Sequence, residues 1–341
     1  MARQIKFFTV NTLIGAIVTL AITGAIIAVS RLQTRDKETS GLSDAFTYDL
    51  KGLRKTDPKF ILYEEGAPIQ TGFQKVLGIA LGPNDAIYVA GDGSVRAFNG
   101  NGSRLSQVRL TDSPRCLAVA DDGTLYIGMK EHIEVYDPKG VRKANWESLG
   151  KNALLTSIAV SGHDVFAADA GNRAVLRYTT SGKLVNLIGK KDETRDIPGF
   201  VVPSPYFDLA VAPDGLLRVA NPGRHRVEAY TFNGDLEFWW GKVSMGIEGF
   251  AGCGNPVNFA LLSDGTFVTC EKGLPRVKIY AADGDFVGVV AGAELFPTYT
   301  YDGFSSEQTG ELDVAVDSQG RILVLDAVEK TVRIFTRMKT G

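Results

Sequence analysis

Residues 208–221 read DLAVAPDGLLRVAN. Two apolar runs, Leu209–Val211 and Leu217–Ala220, flank a Pro-Asp-Gly turn, as in a tight hairpin between half-buried strands. The same pattern recurs as LGIALGPNDAIYVAG from Leu77, CLAVADDGTLYIGM from Cys116, SIAVSGHDVFAAD from Ser157, NFALLSDGTFVTCE from Asn258 and DVAVDSQGRILVLD from Asp313. Each copy carries an alanine between apolar neighbours: Ala80, Ala118, Ala159, Ala210, Ala260 and Ala315, so successive copies lie 38, 41, 51, 50 and 55 residues apart.

A third run follows each hairpin, at VRAF, IEVY, VLRY, VEAY, VKIY and VRIF, alternating apolar and polar residues and ending in an aromatic. Five copies continue through a Gly-containing turn to a fourth strand, and no segment of the repeats reads as a long amphipathic helix. Four antiparallel strands repeated six times define an all-β, six-bladed β-propeller. Small alanines suit the innermost strands, which converge on the axis. The sixth copy stops after three strands, at Phe335-Thr336-Arg337. Upstream of the first copy lies Lys59-Phe60-Ile61-Leu62-Tyr63. Strand 59–63 is therefore expected to complete the last blade and join the chain ends, leaving no open edge between blades one and six.

Two passages resemble the NHL-repeat family of propellers. One is VFAADAGNRAVLRYTTSG from Val165; the other is FWWGKVSMGIEGF from Phe238, leading to Pro256-Val257-Asn258-Phe259-Ala260. Blades one and two depart from that pattern at Gly91-Asp92-Gly93, and blade six at Val328-Glu329-Lys330. The resemblance implies a binding module, sensor or scaffold. Related propellers include metal-dependent lactonases and lyases, which is the alternative reading.

Ahead of the repeats, Phe7–Ser30 runs 24 residues without a charge. At about 1.5 Å per helical residue this spans a bilayer core of about 30 Å. Residues 1–30 are thus expected to be a transmembrane signal anchor, 31–57 a stalk, and 58–341 an extracytoplasmic (periplasmic or extracellular) propeller. Residues 1–57 hold 8 Lys/Arg and 5 Asp/Glu, and residues 58–341 hold 29 and 34, so the body carries a net charge of −5. That balance argues against nucleic acid as a partner.

The inter-blade loops and the loops between second and third strands share one face, here called upper. The entry loops of blades four, five and six are long and rich in aromatics. Tyr206, Phe250, Tyr299 and Tyr301 are the aromatic candidates for a surface that binds a protein or peptide partner. Two residues before each repeat alanine, Gly78, Cys116, Ser157, Asp208, Asn258 and Asp313 stand nearest the channel mouth. Asp208, Asn258 and Asp313 could hold Ca²⁺ or another divalent cation, with Glu271 or His225 as the base of an enzyme. They could equally bond the neighbouring backbone or water. No cofactor is otherwise implied. Cys253 and Cys270 form a disulfide on one reading and are separate, partly buried thiols on another. The cysteines together with the anchor also admit an accessory subunit of a membrane redox complex. Asp169, Asn221, Glu271 and Asp326, at the ends of second strands, are expected to accept backbone N–H bonds in turns. The third-strand cations Arg177, Arg226, Arg276, Lys278 and Arg333 are expected to bridge blades.

Overall fold

A computed structural model describes residues 50–297 and 312–339. It is an all-β, six-bladed propeller, with six sheets in the order of the six sequence repeats. The predicted anchor 1–30, most of the stalk, and Tyr299 and Tyr301 lie outside the described residues. Among the described residues no helix is long and apolar enough to cross a membrane.

Blade four shows how each repeat folds. Its strands are Leu209–Val211, Leu217–Asn221, Arg226–Tyr230 and Leu236–Trp240, paired in sequence order. Between the first two, Asp214 accepts a bond from the Leu216 N–H at 3.0 Å, and Gly215 adopts φ 79°. A β-carbon is strained in that left-handed conformation, which is why the turn carries glycine. Asp122, Asp264 and Asp317 make the equivalent bonds to Thr124, Thr266 and Gln319. The strand faces then meet across the seams between blades. Phe166 and Val175 of blade three, for example, share a core with Leu209, Val219 and Tyr230 of blade four. Each such buried side chain contributes about 1.5–3 kcal/mol of transfer free energy.

The ring closes through blade six, but not at the predicted bounds. Thr331–Arg337 pairs with two short segments from the start of the body, Tyr63–Glu65 and Ile69–Gln70. Tyr63 lies opposite Arg337, and Ile69 opposite Val332. The first half of the expected strand 59–63 does something else. Asp57 caps a 3₁₀ turn at Pro58–Phe60, accepting from the Lys59 N–H at 3.1 Å. Ile61 then bridges Val289, and the Leu62 N–H donates to the Val289 carbonyl at 2.9 Å. This segment covers the outer strand of blade five, Phe286–Ala291. The end of the predicted stalk also packs on the body. Arg54 donates to the Ala293 and Phe296 carbonyls, and the Thr56 hydroxyl donates to Glu294 at 3.0 Å.

Candidate functional site

The six innermost strands enclose an axial cavity of about 1430 Å³. An innermost strand has one unpaired edge, whose N–H and C=O groups face this cavity and need partners. Four of the candidate ring residues supply them across the blade seams. Asp208 of blade four accepts from the Phe259 N–H of blade five at 2.7 Å and from its own neighbour Leu209 at 2.9 Å. Asn258 of blade five donates to the Leu312 carbonyl of blade six at 2.9 Å. Asp313 of blade six accepts from the Ile79 N–H of blade one at 3.0 Å and from Val314 at 2.8 Å. Ser157 of blade three reaches Leu209 of blade four at 3.4 Å. These are the bonds to the neighbouring backbone that one of the two sequence readings of this ring expects. Among the described residues no group of three or more His, Cys, Asp or Glu side chains is placed to hold a metal ion.

Burial raises both carboxyls above the ordinary 3.8: Asp208 to about 7, with the Asp313 charge adding to the shift, and Asp313 to about 6. The Cys116 thiol is pushed up by the same burial and by both carboxylates. The folded state therefore holds more protons at these two sites than the unfolded chain does between their ordinary and shifted values. Their contribution to stability is full below the ordinary value and is lost as pH rises through about 6 and about 7. Urea midpoints measured from about pH 4 to about pH 8 should show this decline. In a variant with Asp208→Asn and Asp313→Asn the decline should flatten, although each amide leaves one backbone N–H without an acceptor. An unchanged slope would contradict the assignment.

The upper mouth has a different character. Lys75 of blade one, Arg115 of blade two and Lys330 of blade six line it and are exposed. These blades are neighbours, so the three cations form a continuous arc. None of the three has an acidic partner within 4.0 Å among the described residues. Asp92, which lies beside the arc, is engaged by the Gln74 and Lys75 backbone N–H groups. Across the cavity stands Tyr206, with the Lys272 ammonium 5.1 Å from its ring centroid. Lys272 also donates to Ser204 at 2.6 Å. Among the described residues, the only acidic groups that line the cavity are the two ring carboxyls, Asp208 and Asp313. The body is acidic overall, but the described part of this rim is cationic.

Two sequence candidates are placed elsewhere. Phe250 is fully buried, between Trp240 and Tyr280, and is a core residue of blade five's entry loop rather than part of a surface. The loop folds under itself through the Phe250 N–H bond to the Lys242 carbonyl at 2.9 Å. Cys253 and Cys270 are not joined: Cys253 is exposed in the loop, and Cys270 is buried in a core with Val257, Val268 and Val277.

The catalytic alternatives are also engaged. Glu271 is buried and bonded to Arg276 at 2.7 Å, to Lys278 at 3.1 Å and to the Ala251 N–H at 3.0 Å. His225 Nε2 lies 2.6 Å from the Gly252 carbonyl. Asp169, Asn221 and Asp326 accept backbone N–H bonds as expected, from Leu154, Val201 and Val328 among others. The third-strand cations pair chiefly within their own blades, as Arg177 does with Asp164 and Arg226 with Glu228. Reach to the next structural unit is secondary: Arg177 to the Phe232 carbonyl, Lys278 to the Gly249 carbonyl. The cationic rim was missed because Lys75, Arg115 and Lys330 are far apart in sequence. Only the ring order brings them together.

The sequence matches no protein-family profile. No curated protein sequence is detectably similar to it. Solved structures share the propeller fold. A streptogramin B lyase matches at 11% identity and a TM-score of 0.56, over 83% of this chain and 100% of that one. A protein of unknown function from Bacteroides thetaiotaomicron matches at 18% and 0.57, over 82% and 73%. The WD40 propeller domain of Doa1 matches at 15% and 0.52, over 82% and 98%. These likenesses place the chain among β-propellers, and its own six sheets make it a six-bladed one. At such identities they carry the fold and not an activity.

Proposed function

We propose that the protein is a membrane-tethered binding module, and that the upper mouth of its propeller receives an acidic segment of a partner protein. The observation that carries this reading is the arc of Lys75, Arg115 and Lys330 at the entrance of a 1430 Å³ cavity, on a body of net charge −5. Tyr206 supplies an aromatic wall opposite the arc. A binding role, rather than catalysis, is supported by the engagement of Asp208, Asp313 and Glu271 in bonds that hold the fold. The resemblance to NHL repeats points the same way. The tether rests on the uncharged run Phe7–Ser30.

A fluorescent peptide of alternating glutamate and serine tests the mouth by anisotropy. The full chain should bind it, more weakly as salt rises, because exposed charges are screened over about 8–10 Å. The triple variant Lys75→Glu/Arg115→Glu/Lys330→Glu should bind at least tenfold more weakly with an unchanged melting temperature. Equal binding by the variant, or none by the parent, would contradict the reading. The tether is tested separately. The full chain should stay with membranes through an alkaline carbonate wash, and release by that wash would contradict it.

A further inference from the structure

The outer strands of the six blades are unequal in a way the mouth does not explain. A sheet edge exposed to water is ordinarily guarded by charge. Blade one follows this with Arg104–Arg109, sequence RLSQVR, blade two with Arg142–Asn145, sequence RKAN, and blade six with Tyr63–Glu65, sequence YEE. Blades three and five carry no charge on theirs, and blade four carries one, Glu237, among large apolar residues. Their outer strands are Leu184–Ile188, sequence LVNLI, Leu236–Trp240, sequence LEFWW, and Phe286–Ala291, sequence FVGVVA.

Blade five has its own cover. Ile61 bridges Val289, and Phe60 stacks edge-on against Phe286 with ring centroids 5.6 Å apart. The outer strands of blades three and four have no such segment among the described residues. Leu184 and Val185 are each 47% exposed, and Trp239 is 53% exposed. Leu187 and Phe238 are exposed beside them. The two strands belong to adjacent blades, so together they present an apolar rim with unpaired backbone edges. An exposed apolar patch of this kind marks an interaction surface.

We infer that this rim is the interface of a homodimer, in which the outer strand of blade three on one copy meets that of blade four on the other. The charges select this pairing. Lys183 and Lys190 bracket LVNLI, while Glu237 sits within LEFWW. None of the three has an ion-pair partner within the chain among the described residues. Two-fold antiparallel pairing of the blade-three strand with its own copy, centred on Asn186, would set Lys183 opposite Gly189 and so next to Lys190 of the other copy at both ends, and like charges brought together across a strand pair are destabilising. The crossed arrangement, with Leu184–Ile188 antiparallel to Leu236–Trp240, sets Glu237 of each copy opposite Leu187 of the other, at the end of the strand that carries Lys190. It occurs twice about one two-fold axis, so the assembly closes as a dimer. The surface lies on the outer rim and leaves the upper mouth open.

Cysteine cross-linking in the full-length chain tests this. The background carries Cys253→Ser, because that thiol is exposed whereas Cys116 and Cys270 are buried. Adding Val185→Cys and Phe238→Cys should give a disulfide-linked dimer under mild oxidation. A control with Leu105→Cys and Val141→Cys, on blades one and two and more exposed than the test pair, should give at least tenfold less. Adding Trp239→Glu to the first variant should cut its yield by a similar factor. Sedimentation velocity on the chain with its native cysteines gives a second readout, with dimer expected for the parent and monomer for Trp239→Glu. Equal cross-linking from the control pair would overturn the inference. So would a monomeric parent.

Discussion

Glu271→Ala is expected to lower the unfolding free energy by about 3–5 kcal/mol, the usual cost of removing one partner from a buried ion pair. Glu271 faces two cations at once. Arg276 and Lys278 are both buried, and Lys278 is fully enclosed. Burial lowers the Lys278 pKa to about 8, and the Glu271 charge opposes that shift. Without the carboxylate, two desolvated cations would face each other. The Ala251 N–H would also lose its acceptor. The damage should spread along the entry loop of blade five, because Lys278 donates to the Ile247 and Gly249 carbonyls and lies over the Phe250 ring. Urea unfolding measures the size, and hydrogen exchange locates it. A loss below about 1 kcal/mol, typical of an exposed pair, would contradict this account.

The second large effect is expected at the closure. Tyr63→Ala should cost about 3–5 kcal/mol, the range for removing a large buried aromatic. Tyr63 packs in a core shared by blades five and six, among Val290, Leu312, Val314 and Phe335. It is also the first residue to pair with the last strand of the chain. Beside it, Glu65 holds Arg333 at 2.7 Å through both carboxylate oxygens. Loss of the ring should release this segment and open the seam where the chain ends meet. Amide exchange should then rise first in Thr331–Arg337 and only later in blades two and three. Uniform exchange around the ring would show that closure does not depend on this residue.

Most of the architecture was legible because it repeats. Alternation with period two, an Asp-Gly turn and a small residue on the inner strand recur often enough to define blades and faces. The closing strand was legible in kind but not in its bounds. Asp57-Pro58 carries the signal that was passed over: an aspartate cap followed by proline begins a helical turn, not a strand. Phe250 was misplaced for a different reason. Its loop is glycine-rich and looks exposed, and what encloses the ring is an aromatic core from other strands, Trp240, Phe267 and Tyr280. The six ring residues line the cavity, yet what they bond depends on which backbone groups the adjacent blade leaves unpaired. A linear sequence does not show that edge. The same limit hid the cationic rim.

The central claim is that the rim formed by blades six, one and two contacts an acidic partner. Lysine acetylation of the full chain, read by mass spectrometry with and without the glutamate–serine peptide, tests it most directly. Lys75 and Lys330 should be protected when the peptide is bound, and Lys139, exposed in a turn on the opposite face, should react at the same rate in both. Equal reactivity of Lys75 and Lys330 with and without saturating peptide, or equal slowing at Lys139, would contradict the claim.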